Sequence, residues 1–346
     1  MSDINPNVAA VIVNYRTADL TLRCVSALAA ERKRLPQLRA VIVDGGSGDG
    51  SAEMLRSGLN DARYADWTEL LVLPINGGFG WANNQAMLRL LQRERSPDYI
   101  YLINPDAEIE AGALEQLLEQ MERFPGTGAC GSRLIDYDGT VLGSAFRFPT
   151  LSREFARGLR TVAIAQLFGI EALVWASEDA VEVDWVTGAS VLFRSAALRQ
   201  TGLFDDGFFL YYEEVELMWR LRRAGWGVRH APSSRVVHVG GAATGVSGAC
   251  GGRYRRLPDY WHHSRRRFFM LCYGRVLTVV AGISWLLGHS LWLLRGLAER
   301  RLDFVPNEGR DHVRLGLVPR LRDLRRSAPA WNSTPGAEPG WARTSR

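Results

Sequence analysis

Short apolar runs alternate with segments of helical periodicity through the first third of the chain. Apolar runs of strand length lie at residues 8–13, 39–43, 70–73 and 99–103, and a segment with helical spacing follows each of them. A continuous apolar run is typical of a strand that is covered on both faces. Repeated alternation of strand and helix predicts right-handed crossovers. We therefore expect an α/β fold, with a Rossmann-like mixed, mainly parallel sheet and helices on both faces.

Each predicted strand leads into a loop that carries polar residues. In open parallel sheets, ligands bind at the carboxyl ends of the strands. The pattern therefore predicts one crevice with polar residues at Asn14, Asp44, Asn76 and Asp106. The glycines after Asp44 do not match the dinucleotide fingerprint, and the chain has no GKS or GKT phosphate loop. A strand-end aspartate can bind Mg²⁺ or Mn²⁺ through its carboxylate, and the cation then bridges a diphosphate.

A cluster of acids opens the most distinctive predicted helix. Glu213, Glu214 and Glu216 follow an aromatic run and precede residues at helical spacing, with Gly225 where a C-cap belongs. The acids therefore lie in the first turn, where the helix dipole favours ionised carboxylates. Such a carboxylate beside an aromatic wall can accept a proton from a substrate hydroxyl. Acids are also common at helix N-termini for structural reasons, so the cluster alone leaves both interpretations open.

Composition adds a class of protein and an asymmetry of charge. Hydrophobic residues make up 47% of the 346 residues, which is enough for a folded core. The cysteines are far apart and the N-terminus lacks a signal-peptide layout, so we expect a cytoplasmic protein. Residues 251–346 carry 18 arginines and seven acids, whereas residues 1–250 are acidic overall. A basic C-terminal third can face nucleic acid or an anionic membrane surface.

The apolar content of this basic region favours a membrane. Residues 276–294 carry no formal charge and are bracketed by Arg275 and Arg295. Their length is near that of a membrane span, but their small polar residues favour a helix in the interface, anchored by Trp285 and Trp292. A spanning helix, or a soluble helix packed on the N-terminal domain or a partner subunit, stays open. We expect no nucleic-acid partner, because the arginines flank the apolar run.

These observations divide the chain into three parts. Residues 1–245 form the predicted α/β domain. Residues 246–325 form a basic, partly apolar helical region that we expect to associate with a membrane. Residues 326–346 are rich in Pro, Gly and Ser, and this composition predicts disorder.

A series of motifs in fixed order resembles a known family. The motifs are VIVNYRTADL, VDGGSGDGS, NGGFGWANNQA, LINPDAEI, DWVTGASVLFRSAAL, FDDGFFLYYEEVELMWRLRRAGW, RVVHVGG and HHSRRRFFMLCYG. The series resembles the inverting glycosyltransferases of family 2, and in detail the bacterial rhamnosyltransferases of cell-surface polysaccharide assembly. The resemblance covers about residues 8–275. It implies a catalytic domain of the GT-A fold followed by a C-terminal helical appendage.

The resemblance also implies roles for the matching positions. The positions that would bind the nucleotide are Asn14, Tyr15, Asp44, Asn76 and Asn104. Those on the acceptor side are Trp185, Thr187 and Gly188. Asp106, completed by His238, would hold Mg²⁺ or Mn²⁺. Glu214 would be the general base, with Glu213 orienting the acceptor or donor, although relatives differ over which of these two acids is the base.

Two positions depart from the usual family pattern. Asn104 stands where the first Asp of the DxD motif is usual, which leaves more of the metal binding to Asp106. Glu214 stands where Asp is usual, so a longer side chain would carry the proton acceptor. The chain also has no Gln-x-x-Arg-Trp sequence, which argues against a processive polymer synthase.

The implied activity is transfer of a sugar from a nucleotide diphosphate to a hydroxyl of a lipid-linked or growing cell-surface glycan. L-rhamnose from dTDP-rhamnose is the leading hypothesis for the donor. The alternatives are the same fold with a UDP-hexose or UDP-N-acetylhexosamine donor, and a non-catalytic sugar-nucleotide-binding subunit of a polysaccharide complex. We expect peripheral contact with the inner face of the plasma membrane.

Overall fold

The computed structural model describes residues 6–175, 178–238, 256–300, 305 and 307–343. The predicted boundary between residues 245 and 246 lies outside the described residues. The strands are β1 Val8–Asn14, β2 Arg39–Asp44, β3 Thr68–Val72, β4 Tyr99–Ile103, β5 Ala107–Ile109, β6 Thr127–Ile135, β7 Ala145–Phe146, β8 Val181–Glu182, β9 Trp185–Val186, β10 Ser190–Arg194 and β11 Gly227–His238. The helices are α1 Ala18–Arg32, α2 Ser51–Leu59, α3 Phe79–Leu91, α4 Ala113–Arg123, α5 Leu151–Leu159, α6 Val162–Leu167, α7 Ser195–Thr201, α8 Glu213–Arg223, α9 Asp259–Ala298, α10 Glu308–Asp311 and α11 Gly340–Arg343. A π-helical turn, His312–Leu317, and a 3₁₀ turn, Leu321–Leu324, follow α10.

Within the described residues, nine strands form the main sheet, in the order β3-β2-β1-β4-β10-β6-β11-β5 with β8 paired to β11. The neighbouring pairs among β1, β2, β3 and β4 are parallel, as is the β6–β11 pair. Strand β10 is antiparallel to both of its neighbours. The predicted α/β fold with a mixed, mainly parallel sheet is therefore confirmed.

The sheet is buried on both faces, as its apolar runs predict. Alternate side chains of a strand point to opposite faces. In β1, Val8, Ala10 and Ile12 belong to one hydrophobic cluster. Ala9 and Val11, between them, belong to another cluster that contains much of α3 and α8. The continuous apolar runs are thus explained by burial on both sides.

Helix α9 begins inside the folded domain and ends on its surface. A non-helical residue, Gly274 at φ 83° and ψ 179°, divides it into two halves. In the first half, Arg265 pairs with Glu154 of α5 and Arg267 pairs with Asp205, and all four side chains are buried. These arginines therefore form ion pairs inside the protein, and the positive charge of the C-terminal third is only partly at the surface.

The second half of α9 packs closely against α5. A Cβ atom on Gly288 would lie 2.2 Å from the carbonyl oxygen of Phe155, and one on Gly158 would lie 2.3 Å from that of Trp285. Only glycine permits this approach of two helix backbones. Trp285 is 2% exposed and stacks on His312. The expectation that Trp285 anchors the chain in a membrane is therefore wrong, because it packs inside the protein.

The C-terminal tail, residues 327–343, is ordered along α3, in contrast to the expected disorder. The indole nitrogen of Trp81 donates to the carbonyl oxygen of Ala337 at 2.8 Å. The amide nitrogen of Gln92 donates to the carbonyl oxygens of Trp331 and Ser333. A Pro-, Gly- and Ser-rich composition thus does not prevent order here, because tryptophans and backbone groups of the tail find partners on the folded domain.

Candidate active site

Asn14 and Asp44 form a buried hydrogen-bonded pair where β1 and β2 end. They lie opposite each other in the parallel register, and the Asn14 amide donates to the Asp44 carboxylate at 2.8 Å. The Ser47 hydroxyl donates to the same carboxylate at 2.6 Å. Asp44 is only 1% exposed. The pair therefore lies beneath the loops that follow β1 and β2, and its direct contact with a nucleotide stays a prediction.

A cavity of about 370 Å³ lies above this pair, at the carboxyl ends of the strands. We call it the donor cavity. Four of the predicted site residues line it, namely Tyr15, Asn76, Asn104 and Asp106. The rest of the wall includes Phe79, Phe209 and Tyr260. Four loops therefore converge on one crevice, as the sequence pattern predicts.

Asp106 and His238 come together beside the donor cavity. The Nε2 atom of His238 lies 3.3 Å from a carboxylate oxygen of Asp106 and 3.4 Å from the amide nitrogen of Asn104. Strand pairing positions the histidine, because His238 ends β11 opposite Ala107 of β5. A carboxylate oxygen and an imidazole nitrogen are suitable ligands for Mn²⁺ or Mg²⁺. The described residues contain no group of three His, Cys, Asp or Glu side chains that could hold a metal ion. A cation bound by Asp106 and His238 would therefore need further ligands from a bound substrate.

The acidic pair follows an unusual turn. Tyr211 and Tyr212 both have φ of 68°, a left-handed conformation that is costly for residues other than glycine. Aromatic contacts hold this turn, because Tyr211 stacks on Tyr260 and Tyr212 packs against Phe268. Helix α8 then begins at Glu213. The first half of α9 therefore supports the strained turn from which the two acids project.

Burial raises the pKa of both acids. Burial is the main cause for Glu214, whose pKa is raised to about 7. The pKa of Glu213 is raised well above its usual value by burial and then by the negative charge of Glu214. Each acid has one buried carboxylate oxygen without a hydrogen-bond partner among the described residues. Glu214 is therefore close to half-ionised at neutral pH, which suits it to the role of proton acceptor, while Glu213 keeps its proton to a higher pH than a free glutamate does.

Glu214 faces a second, larger cavity of about 990 Å³, which we call the acceptor cavity. Its walls include Trp185, Tyr212 and Trp261. Helix α5 contributes Arg153 and Arg157, together with apolar neighbours from α6. At its outer end the cavity is lined by Val162 and Trp175, which are 70% and 64% accessible to solvent. The cavity therefore leads from the molecular surface to the Glu214 carboxylate.

A short segment between β9 and β10 separates the two cavities. The backbone nitrogen of Asn104 donates to the carbonyl oxygen of Ala189 at 2.9 Å, and the backbone N–H of the preceding Gly188 favours the ionised Glu214 carboxylate. A Cβ on Gly188 would lie 3.2 Å from the Phe79 ring. The metal-binding candidates and Glu214 therefore flank the same few residues. Thr187 and Gly188 belong to this segment between β9 and β10, and they do not line the acceptor cavity.

Some site residues are not predicted by the sequence pattern. Phe209 and Tyr260 line the donor cavity, and α5 and α6 build much of the acceptor cavity. The aromatic composition around Tyr260 is a signal that could have indicated a binding wall. Helix α5 also carries a signal that could have indicated it, because Leu151, Phe155 and Leu159 recur at helical spacing after the N-cap residue Thr150.

Comparisons with known proteins show the family of the chain. The family model "Glycosyl transferase family 2" matches residues 9–172. The N-acetylglucosaminyl-diphospho-decaprenol L-rhamnosyltransferase of Mycobacterium tuberculosis is 30% identical over 260 residues, which cover 71% of this chain and 79% of that protein. The chain is a family 2 glycosyltransferase. This glycosyltransferase is also 28% identical to rhamnosyltransferase WbbL of Escherichia coli over 204 residues, covering 56% of the chain and 64% of WbbL.

Solved structures confirm that this glycosyltransferase has the GT-A fold. The mannosyltransferase PcManGT from Pyrobaculum calidifontis, in complex with GDP-Man and Mn²⁺, has a TM-score of 0.52 at 15% identity, covering 85% of this chain and 75% of that one. GalNAc-T7 with UDP, GalNAc and Mn²⁺ has a TM-score of 0.57 at 11% identity, covering 92% of this chain and 56% of that one. At such identities the likeness establishes the fold alone.

Proposed function

We propose that this glycosyltransferase moves a sugar from a nucleotide diphosphate to a hydroxyl of a lipid-linked or growing cell-surface glycan, with a divalent cation and with inversion. The observation that carries the proposal is the pairing of a donor cavity holding Asp106 with an acceptor cavity holding Glu214. Similarity to two rhamnosyltransferases favours L-rhamnose from dTDP-rhamnose as the donor. The acceptor cavity, with arginines and apolar walls, suits a glycan carried on a lipid diphosphate, as in the name of the mycobacterial relative.

The residues of the two cavities divide the reaction between them. A divalent cation bound at Asp106 and His238 would neutralise the diphosphate and so stabilise the leaving group. Glu214 takes the proton of the acceptor hydroxyl while the oxygen of that hydroxyl bonds to the anomeric carbon. The bond from that carbon to the diphosphate breaks on the opposite face, so a single displacement inverts the configuration. The raised pKa of Glu213 favours its protonated form, in which it can donate a hydrogen bond to either sugar.

The donor is testable with purified protein. We expect release of nucleotide diphosphate to be fastest with dTDP-rhamnose in a panel that also contains UDP-galactose, UDP-N-acetylglucosamine and UDP-galactofuranose. The last is included because a galactofuranosyltransferase, GlfT1 of Mycobacterium tuberculosis, is 26% identical over 265 residues. A UDP-sugar as the best donor would refute the rhamnosyl assignment, and no release from any donor would favour a non-catalytic subunit.

The pH profile should report the ionisation of Glu214. Because its pKa is raised to about 7 and the carboxylate is the active form, kcat/KM should fall tenfold per pH unit below about pH 7 and level off above it. The measurement is initial rates between pH 5.5 and 9 at saturating cation. A profile that is flat down to pH 5.5 would show that no group of this pKa acts as the base.

We also propose that the second half of α9 rests on an anionic membrane. By length and composition alone, helix α9 could cross a membrane, and 33% of its most apolar 18-residue stretch is buried inside the protein. An exposed aliphatic stripe runs along it at helical spacing, formed by Val276, Val280, Ile283, Leu287, Leu291 and Leu294. Exposed arginines, Arg275 and Arg295, flank the stripe. An apolar stripe with basic flanks is typical of a helix that lies in the membrane interface.

Sedimentation with lipid vesicles tests this contact. The variant Leu287→Glu/Leu291→Glu should bind vesicles of phosphatidylglycerol and phosphatidylcholine at least about tenfold more weakly, because charges replace two leucines that would insert into the lipid. The matched control is Met54→Glu on α2, a side chain that is 46% exposed. Equal binding by both variants, or release of the wild type by salt alone, would contradict insertion of the stripe.

A further inference from the structure

The C-terminal tail contacts two of the chain segments that contribute to the wall of the donor cavity. Its Ser327 backbone nitrogen donates to the Asp205 carboxylate at 3.0 Å, and its Trp341 backbone nitrogen donates to the carbonyl oxygen of Asp206 at 3.2 Å. Residues 205 and 206 precede the strained turn and the acidic pair. The tail therefore holds the start of the segment that carries Phe209 and Glu214.

Trp341 connects this segment to the glycine-rich loop of residues 76–78, which we call the donor loop. Its indole nitrogen donates to the carbonyl oxygen of Gly77 at 2.9 Å, and its ring packs edge-on against Phe209, with centroids 5.4 Å apart. Gly77 lies between Asn76 and Gly78, which line the donor cavity, and Phe209 lines the same cavity. One side chain therefore bridges two walls of the donor cavity without lining it.

The two walls also interlock directly. The backbone nitrogen of Phe79 donates to the carbonyl oxygen of Phe209 at 3.2 Å, and a Cβ on Gly78 would lie 2.0 Å from that oxygen. Gly78 has φ of 89°. A loop with two consecutive glycines has many accessible backbone conformations, so its single observed shape needs restraint from outside. Trp341 supplies a hydrogen bond and a ring contact at this point.

We propose that the tail is a positioning element of the donor site and that Trp341 is its principal side chain. The inference rests on the proposed nucleotide-diphosphate donor and adds a determinant of donor affinity far away in sequence. By holding Gly77 and Phe209 in place before the donor arrives, Trp341 removes the ordering cost that the donor would otherwise meet. Trp341 touches no reacting atom, so its effect falls on donor affinity and leaves the proton transfer unchanged.

Nucleotide binding to the full chain tests the proposal without requiring turnover. dTDP and UDP are titrated with Mn²⁺ by calorimetry into the wild type, Trp341→Ala, Trp341→Phe and Trp331→Ala. Trp331 is the matched control, because its ring lies 4.4 Å from the guanidinium carbon of Arg199 on α7 and makes no contact with the donor loop that the structure records. For the nucleotide that the wild type binds more tightly, we expect Trp341→Ala to raise the Kd about tenfold. A loss of this size is of the order that one hydrogen bond and one ring contact contribute.

The pattern across variants decides the outcome. Trp341→Phe should recover part of the affinity, Trp331→Ala should keep it, and donor KM should rise in Trp341→Ala with kcat within about twofold. An unchanged Kd in Trp341→Ala, or an equal rise in Trp331→Ala, would overturn the positioning role while leaving the proposed function intact. A wild-type chain that binds neither nucleotide would instead remove the donor site, and with it both proposals.

Discussion

Glu214→Gln is expected to lower the rate of sugar transfer by roughly 10²–10⁴-fold, the usual contribution of general-base catalysis. Glutamine keeps the size and the backbone contacts of the side chain but cannot accept the acceptor proton. Nucleotide binding should be unchanged, because Glu214 lines the acceptor cavity and not the donor cavity. The measurement is kcat with a saturating donor beside nucleotide Kd. Transfer at the wild-type rate would remove Glu214 from the mechanism.

Thermal unfolding separates this chemical effect from a folding defect. The pKa of Glu214 is higher in the folded state, about 7, than in the unfolded state, about 4.5. The folded state is therefore favoured most while Glu214 is protonated, below about pH 4.5, and its free energy of unfolding falls as pH rises through about 7. Glutamine does not ionise. At pH 8, Glu214→Gln should therefore unfold at the same temperature as the wild type or at a higher one.

Glu213→Gln provides the matched comparison at the neighbouring position. Glu213 is 2% exposed, and burial raises its pKa well above the usual value, which favours the neutral form of the side chain. An amide can replace a protonated carboxyl as a hydrogen-bond donor. The loss of activity should then be much smaller than in Glu214→Gln, and the reverse order would identify Glu213 as the base.

The features that depend on short stretches of chain could be predicted from the sequence. The apolar runs and their polar ends reflect local burial, so the pattern alone places Asn14, Asn76 and Asp106 at strand ends. The first turn of α8 likewise begins at Glu213, where the acids follow the aromatic run. The shared crevice also follows from the pattern, because backbone pairing in a parallel sheet brings equivalent strand ends to the same place.

The features that the sequence did not predict depend on contacts between distant segments. Trp285 reads as an interfacial anchor in an apolar run, but Gly158 and Gly288 let α5 and α9 approach and enclose it. The tail reads as disordered, but Trp81 and Trp341 connect it to α3 and the donor loop. Composition does not encode which surface a tryptophan meets, so only the assembled structure shows these contacts.

Asp106→Ala is expected to lower transfer by about 10²-fold or more, because it removes the carboxylate that we propose as the ligand of the cation. The other candidates close to it, the His238 imidazole and the Asn104 amide, bring no negative charge to the cation. With Asn104 in place of an acid, the donor cavity has no second carboxylate among its described lining residues that could compensate. Mn²⁺ affinity and nucleotide Kd measured with Mn²⁺ should weaken together with kcat/KM, whereas Glu53→Ala on the exposed face of α2 should change none of them.

Asp106→Ala and Glu214→Gln should then differ in their effect on donor binding, as expected if Asp106 and Glu214 have separate roles. Asp106→Ala weakens donor binding only when Mn²⁺ is present, since the donor diphosphate would share the cation with that carboxylate. Glu214→Gln leaves donor binding intact and stops the proton transfer. If Asp106→Ala retained Mn²⁺-dependent activity at the wild-type level, the cation would have to be held elsewhere, and the donor cavity would lose its assigned chemistry.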